Sequence, residues 1–337
     1  MCINVAFAFD KNYYRQAFCA IASLLILGKE QRYNLFLLVA SDIDTSIKNE
    51  LLVNIKKIKN DVEIHFIDMS NWFQDSYECR GITKSCYYRL MLHRLLPNDI
   101  KKVIYSDVDV IFNTDLVDIW NFDINNAFWA SNKDALLNLN ERRIRLEMQF
   151  PYWKNELKSI GKNYRNSGFL LLNLEKFRKE NLDEKIIDLT KRNYNYQDQD
   201  VLNILFANRQ QDVKTLPSKY CVFLPNVANG DYDEVYKQGI ITKQDCYDVK
   251  HAPAIYHFAG GKPWDIPYVG GDIWWNFVKK HTPYYKYFKR RYDKLNQRTT
   301  FIEKIFSIKN LYSNNKKHKV ITILGIKLKF KLINRIN

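Results

Sequence analysis

Two aspartates occupy the most chemically suggestive stretch of the sequence, KKVIYSDVDVIF at residues 101–112. Asp107 and Asp109 interrupt an apolar run that continues on both sides, which predicts a strand buried on both faces. Residues i and i+2 of an extended strand point to the same side, so both carboxylates could bind one hard divalent cation. A turn with two solvated aspartates is the alternative, because a single D-x-D is a weak signal.

A second candidate stretch is IYHFAGGKPW at residues 255–264. His257 lies in an apolar strand pattern, where a histidine is more often a buried core residue than a ligand. Gly260, Gly261 and Lys262 follow, and they offer flexible backbone N–H groups and an ammonium that suit a phosphate.

The first predicted strand ends in AFDKNY, at the position where nucleotides bind in open α/β sheets. Asp10 could accept from a nucleobase N–H and Tyr13 could stack on the ring, whereas helix capping by Asp10 or Asn12 is the simpler alternative. No G-x-G-x-x-G occurs, which argues against a dinucleotide cofactor. In SCYYRLMLHRLL, Arg89 could bind a diphosphate or sugar hydroxyls, or form a surface ion pair.

Two more polar stretches precede apolar elements. Asn166 and Ser167 stand before a predicted strand and either hold hydroxyls or form a plain turn. The run YQDQD at 196–200 precedes an apolar helix and is either ordinary helix-start chemistry or a set of donors and acceptors for sugar hydroxyls. Gln199 is neutral and could face an anomeric carbon without ionising.

The elements that position these groups alternate along the chain. Strands are predicted at 3–9, 35–40, 62–67, 103–112, 127–131, 168–174 and 254–258, and helices at 16–27, 46–58, 85–96, 174–193 and 199–208. The helix at 46–58 is expected to bury one apolar face, formed by Leu51, Leu52, Ile55 and Ile58. This rhythm predicts an α/β fold with a mostly parallel sheet and helices on both faces.

Composition limits the class of protein. With 337 residues and 46% hydrophobic content, the chain can bury a large core as one or two domains. Six scattered cysteines without a C-x-x-C predict free thiols in a reducing compartment and no zinc site. No run of about eighteen apolar residues occurs, so no transmembrane helix is expected. The N-terminal apolar run is expected to be a strand and not a signal peptide.

The basic charge is concentrated at the C-terminal end. Residues 273–337 contain seventeen Lys and Arg against two acids and so carry the whole net charge of +15. We therefore expect a charge-balanced catalytic domain at 1–272 and a basic aromatic region at 273–337. Within the latter, an apolar stripe at 301–308 has near-helical spacing, and VITILGIKLKFKLI predicts two strands about Gly325.

That basic region has two interpretations. One is an accessory unit with a solvated basic face. The other is a peripheral anchor on an anionic membrane surface, where a lipid-linked acceptor would be found.

Six stretches together resemble glycosyltransferase family 8, which includes glycogenin and bacterial lipopolysaccharide galactosyl- and glucosyltransferases. They are AFDKNY, YYRL, YSDVDVIF, NSGFLLLNLEKFR, YQDQDVLN and HFAGGKPW, and they span residues 3–264 in the family's order. The resemblance implies a GT-A fold, a UDP-sugar donor, Mn²⁺ or Mg²⁺, and retention of anomeric configuration.

The resemblance also implies roles for individual residues. Asp107, Asp109 and His257 match the metal ligands. The residues that match the family's uridine contacts are Ala8, Asp10, Asn12 and Tyr13. Those that match its contacts to the rest of the donor are Arg89, Val108, Asp134, Asn166, Ser167, Asp198 and Gln199. Asp198 and Gln199 are also the candidate catalytic residues. Tyr196 matches the acceptor pocket, and Gly260 and Lys262 match the residues that bind the diphosphate. In the family's commonest pattern, one more residue separates the histidine from the lysine than separates His257 from Lys262 here.

The sequence is compatible with three functions of different classes. The resemblance implies transfer of glucose or galactose from UDP-glucose or UDP-galactose to a saccharide acceptor in lipopolysaccharide or other surface-glycan synthesis, in the cytoplasm or on the inner face of its membrane. A nucleotidyl or phosphoryl transferase would need a P-loop or a third clustered acid, and neither is evident. A nucleic-acid-binding protein would rest on the basic region alone, and no nucleic acid partner is expected.

Overall fold

A computed structural model describes the backbone of residues 1–313, 316–324 and 326–331, and the side chains of 1–296, 321–324 and 326–328. The chain divides after Ala259 into two compact units. The sequence-based boundary after residue 272 separates a catalytic domain from a basic region by their expected functions, and it stays a prediction.

The first unit is built on a seven-stranded sheet of order β3-β2-β1-β4-β7-β6-β8 and a two-stranded sheet, β5-β9. The strands are β1 Cys2–Phe9, β2 Arg32–Val39, β3 Glu63–Asp68, β4 Lys102–Ser106, β5 Val110–Phe112, β6 Trp129–Ser131, β7 Phe169–Asn173, β8 Val213–Thr215 and β9 Ile255–His257. In the large sheet, only the pairings of β7 with β4 and with β6 are antiparallel. The predicted mostly parallel α/β fold is confirmed.

Helices connect these strands. They are α1 Tyr14–Leu27, α2 Thr45–Ile58, α3 Leu92–Leu95, α4 Val117–Trp120, α5 Asn140–Gln149, α6 Pro151–Asn155, α7 Leu174–Lys179, α8 Asp183–Thr190, α9 Gln197–Leu205, α10 Leu224–Ala228, α11 Asp231–Lys237 and α12 Lys243–His251. Four 3₁₀ helices lie at Lys84–Met91, Lys158–Ile160, Gln210–Asp212 and Ser218–Tyr220.

The strand register brings the polar stretches to one edge of the sheet. β1 and β4 are parallel, and Phe7 lies opposite Ser106. Their carboxyl ends therefore meet, which is where ligands bind in open α/β sheets. The segment after β1 and the two aspartates after β4 consequently share that edge.

The sequence predicts one continuous strand through the D-V-D stretch, and this prediction is wrong. β4 ends at Ser106, residues 107–109 form a bend, and β5 leaves the main sheet to pair with β9. Val110 lies opposite His257 in that pair. The bend thus places the two acids beside a histidine that is distant in sequence.

Three helix predictions need correction. The segment at 85–96 is mainly a 3₁₀ helix, in which six consecutive side chains from Cys86 to Met91 are buried, so it has no exposed face to form an amphipathic α-helix. The predicted helix at 174–193 is two helices, α7 and α8. Leu52, expected on the buried face of α2 with Leu51, is exposed.

The second unit contains two helices and a small sheet. They are α13 Gly271–His281, α14 Tyr285–Ile305, β10 Phe306–Ser313, β11 Lys316–Ile323 and β12 Ile326–Lys331. Trp264, Trp274 and Phe288 are buried together, with the Trp274 and Phe288 ring centroids 4.7 Å apart. The two strands predicted about Gly325 are confirmed as β11 and β12, which pair antiparallel. The helical spacing predicted through residue 308 is wrong after Ile305, where β10 begins.

Candidate active site

Three ligand-type side chains converge at the sheet edge. Asp107, Asp109 and His257, called the cation cluster below, each offer one ligand atom, and these atoms lie within 4.8 Å of one another. His257 Nε2 is 3.1 Å from Asp109 Oδ1 and 3.6 Å from Asp107 Oδ2. Burial opposes a charge on His257, but Asp109 and Cys221 together outweigh burial and raise the His257 pKa well above its usual value.

Arg89 connects the cation cluster to α9. Its Nη2 donates to Asp107 Oδ1 at 2.7 Å, and its Nε is 3.2 Å from Asp198 Oδ2. Nη1 donates to the Ser167 carbonyl at 2.5 Å. The guanidinium is buried, so the surface ion pair considered from the sequence is wrong. Burial disfavours its charge, but Asp107 and Asp198 together raise the Arg89 pKa above its usual value.

The side chain of Gln199 joins two further segments. Its Oε1 accepts from the Ser167 N–H at 3.1 Å, and its Nε2 donates to Asp134 Oδ2 at 3.2 Å. Asn166 Oδ1 accepts from the Gly168 N–H at 2.7 Å. The stretch at 166–168 is thus a turn whose groups bind α9 and its own backbone, and its role in holding hydroxyls stays a prediction.

Burial raises the pKa of both Asp134 and Asp198, and hydrogen bonds or the Arg89 charge only partly offset it. Carboxylates held in this way are typical of functional clefts. The arrangement is therefore a continuous polar network that runs from the cation cluster through Arg89 to the start of α9.

The start of α9 is also strained. Gln197 has a φ of 43° and is buried. A non-glycine residue in this left-handed region is costly and persists only where its surroundings impose it. Its Nε2 donates to the carbonyls of Tyr77 and Ile82, each at 3.4 Å, which ties α9 to the segment before the 3₁₀ helix that carries Arg89.

The comparisons with known proteins agree with this geometry. The family model for glycosyl transferase family 8 matches residues 4–266. The chain belongs to glycosyl transferase family 8.

Named relatives are distant in sequence but extensive in coverage. General stress protein A of Bacillus subtilis is 26% identical and covers 76% of this chain and 85% of its own length. Lipopolysaccharide 1,2-glucosyltransferase of Escherichia coli is 24% identical, and the match covers 90% of this chain and 88% of the relative. The crystal structure of galactosyltransferase LgtC with donor and acceptor sugar analogues matches with a TM-score of 0.67 at 23% identity, over 83% of this chain and 96% of LgtC. The GT-A fold is therefore confirmed.

The residues that membership of family 8 leads us to expect at uridine lie at the carboxyl end of β1 and directly after it, at the sheet edge described above. Ala8 is buried at the end of β1, and Asn12 is exposed. Asp10 does not cap α1, whose N-cap is Tyr13. It accepts instead from the Asn12 N–H at 2.9 Å and from the Thr83 hydroxyl at 3.0 Å.

The other expected residues come from several parts of the sequence. Val108 is buried between the two acids, and Tyr196 is half-buried, with the Arg80 guanidinium 5.0 Å from its ring. Gly260 has a φ of 75°, which favours glycine, and it belongs with Lys262 to the second unit. The roles of all these residues stay predictions.

Sequence reasoning missed three residues that contact the cation cluster or support the start of α9. Asp200, in the YQDQD run, is buried and accepts from two tyrosine hydroxyls. Cys221 lies against His257, and Gly168 lies where a Cβ atom would be 2.6 Å from His257 Cε1 and 2.8 Å from Asp107 Oδ2. Asp200 and Gly168 stand inside the quoted motifs and could have been noticed, but nothing local in the sequence marks Cys221.

Proposed function

We propose that this glycosyltransferase moves a hexose from a UDP-sugar to a saccharide acceptor, with retention of configuration, in the synthesis of lipopolysaccharide or another surface glycan. Glucose is the first candidate, because a relative that covers most of the chain is named as a lipopolysaccharide glucosyltransferase. Galactose is the second candidate, from the resemblance of the motifs.

The observation that carries the proposal is the cation cluster and its link to α9. Two carboxylates and an imidazole form a mixed oxygen and nitrogen donor set, which suits Mn²⁺ better than Ca²⁺, since Ca²⁺ prefers oxygen ligands alone. Asp107, Asp109 and His257 would hold the ion. When bound, Mn²⁺ would neutralise the charge that develops on the departing diphosphate.

The residues around the cluster would orient the donor. Arg89 holds Asp198 beside Asp107, and Gln199 is fixed at both ends by Ser167 and Asp134. A carboxylate paired with a buried guanidinium is better suited to accept from sugar hydroxyls than to act as a nucleophile. Attack by the acceptor from the face that the diphosphate leaves needs no protein nucleophile, and the fixed site supplies proximity.

The test is a donor screen with the purified full chain. UDP-glucose, UDP-galactose and UDP-N-acetyl sugars are offered with Mn²⁺, Mg²⁺ or EDTA, and release of UDP is measured. We expect hydrolysis of one UDP-hexose that depends on Mn²⁺ and disappears in EDTA. Full activity in EDTA would contradict the cation cluster as a metal site, and turnover of no UDP-sugar would contradict the donor class.

We further propose that the second unit attaches the enzyme to an anionic membrane surface. Four exposed apolar residues surround the turn between β11 and β12, here called the apolar turn: Ile323, Leu324, Ile326 and Leu328. Ile321 lies opposite Leu328 and Ile323 opposite Ile326, so these side chains share one face, while Thr322 on the other face is buried. The seventeen basic residues from 273 onward supply attraction to anionic lipids.

No helix in the described parts of the chain combines the length and apolarity needed to cross a bilayer. The attachment that we propose is peripheral, at the cytoplasmic face where a lipid-linked acceptor is accessible.

Co-sedimentation with phosphatidylglycerol vesicles tests the attachment. We expect the full chain to bind at low salt and to be released at high salt, because screening weakens exposed charge interactions. The Leu324→Ser, Ile326→Ser double variant should bind less and keep donor hydrolysis. Met148→Ser, which changes an exposed apolar residue of the first unit, is the matched control. A full chain that ignores anionic vesicles at low salt would contradict the attachment.

A further inference from the structure

A buried thiol lies against the histidine of the cation cluster. Cys221 Sγ is 3.1 Å from His257 Nδ1, while Nε2 of the same ring is 3.1 Å from Asp109 Oδ1. Cys221 is 1% exposed. The thiol therefore contacts the ring nitrogen that faces away from the two carboxylates.

The second contact of the thiol sets the direction of its hydrogen bonds. Cys221 donates its S–H to Asn166 Oδ1 at 3.4 Å. With the proton directed there, the sulfur lone pairs are free to accept from an Nδ1–H of His257. A histidine that binds a cation through Nε2 must carry its proton on Nδ1, and the partner of Nδ1 fixes that tautomer.

The residues next to Cys221 hold the same ring. The Val222 carbonyl accepts from the His257 N–H at 2.9 Å. The Phe223 ring stacks on the imidazole with centroids 4.9 Å apart. Three consecutive residues thus fix the backbone, the face and the far nitrogen of His257.

We propose that Cys221 is a positioning residue for the cation cluster: its sulfur accepts from His257 Nδ1–H and so presents Nε2 to the metal. The inference rests on the proposed Mn²⁺ site. The acceptor in such second contacts is usually a carboxylate or a backbone carbonyl. A thiol accepts more weakly, so the orientation of His257 here also depends on the packing of Phe223.

Mn²⁺ affinity of the full chain, measured by electron paramagnetic resonance of free Mn²⁺ without donor, tests this role. We expect Cys221→Ala to weaken Mn²⁺ binding about tenfold or more, in the range found when the partner of a ligating histidine is lost. Cys221→Ser keeps an acceptor and should recover most of that affinity. The matched control is Cys246→Ala, which removes a buried thiol that donates to the Tyr232 carbonyl and to Asp233 Oδ1, neither of which belongs to the cation cluster.

The outcomes separate the inference from the proposed function. Wild-type protein that binds no Mn²⁺ would overturn the metal site and the inference with it. Tight binding by wild type and by Cys221→Ala alike would overturn the inference alone, as would equal losses in Cys221→Ser and Cys221→Ala.

A measurement on unmutated protein guards against variants that do not fold. Long-range proton–nitrogen spectra of ¹⁵N-histidine-labelled wild type with Zn²⁺, a diamagnetic probe, report the tautomer of His257. We expect a proton on Nδ1. A proton on Nε2 would overturn the proposal.

Discussion

The cation cluster and the start of α9 both hold buried acids, but the two regions satisfy them differently. The Asp107 side chain keeps 24% of its surface exposed, and its protein partners leave lone pairs for an incoming group. Asp200 is fully buried and accepts from Tyr164 Oη at 2.6 Å, Tyr152 Oη at 2.7 Å and the Tyr196 N–H at 2.8 Å. We therefore expect Asp107 to serve a ligand and the fully satisfied Asp200 to serve the architecture.

The largest effect should come from the cluster. Asp109→Ala removes a carboxylate with no internal substitute, so we expect transfer to fall roughly a thousandfold or more, about 4 kcal/mol in the activation free energy. The melting temperature should fall moderately, because Asp109 is buried and its loss leaves His257 without its carboxylate partner, but the protein should stay folded at the assay temperature. Donor turnover and thermal unfolding measured on the same sample check this. Transfer within tenfold of wild type would place the metal site elsewhere.

Asp198 stands between the two regions, since Arg89 pairs it with the cluster although it belongs to α9. Asp198→Asn should reduce kcat roughly a hundredfold while KM for the donor changes little, as expected for a group that orients the sugar in the transition state. Steady-state kinetics at saturating acceptor separate the two constants. Equal changes in donor affinity and turnover would instead identify Asp198 as a group that merely binds.

Gly168 tests whether the cluster tolerates a change in its packing. In Gly168→Ala the new methyl group would lie 2.6 Å from His257 Cε1 and must displace it. We expect Mn²⁺ affinity to fall about tenfold, as when a ligating histidine loses its orientation.

Gly28→Ala is the matched control for Gly168→Ala. Its methyl group would meet the Tyr33 ring within 2.7 Å, at the end of α1 and outside the polar network. It should lower the melting temperature and leave Mn²⁺ affinity unchanged. If both glycine variants lose Mn²⁺ equally, a general loss of stability explains the result and the cluster is not specifically sensitive.

The sequence predicted the parts of the site that short motifs encode. The acids after β4, Arg89, the turn at 166–168 and the run before α9 were all named from local patterns, and the strand alternation predicted the sheet that gathers them. The bend between β4 and β5 was missed, because an apolar run on both sides of two acids does not show whether the strand continues.

The role of Cys221 could not be predicted either. The thiol is 36 residues from His257 in sequence, and the parallel bridge between Val222 and Tyr256 brings the two segments together. Contacts of this kind depend on register between distant segments, which local spacing does not contain.

The smallest effect on transfer should come from Asp200, the fully satisfied acid. Burial raises the pKa of Asp200 to about 6, although the tyrosine hydroxyls partly stabilise its charge. A raised carboxyl pKa means that the folded state binds the proton more readily than the unfolded state, so this group favours folding increasingly as the pH falls from about 7 toward 4. Between pH 7 and pH 5 the contribution to the free energy of unfolding is about 1 kcal/mol.

Asp200→Asn should remove that pH dependence, because a neutral amide there resembles the protonated acid and Tyr164 Oη can accept from it. Urea unfolding at the two pH values checks this, with Asp198→Asn, two residues earlier in the same helix, as the comparison for activity. We expect Asp200→Asn to keep transfer within tenfold of wild type. A loss as large as that of Asp198→Asn, with stability preserved, would show that Asp200 takes part in transfer and would remove the distinction between the two regions.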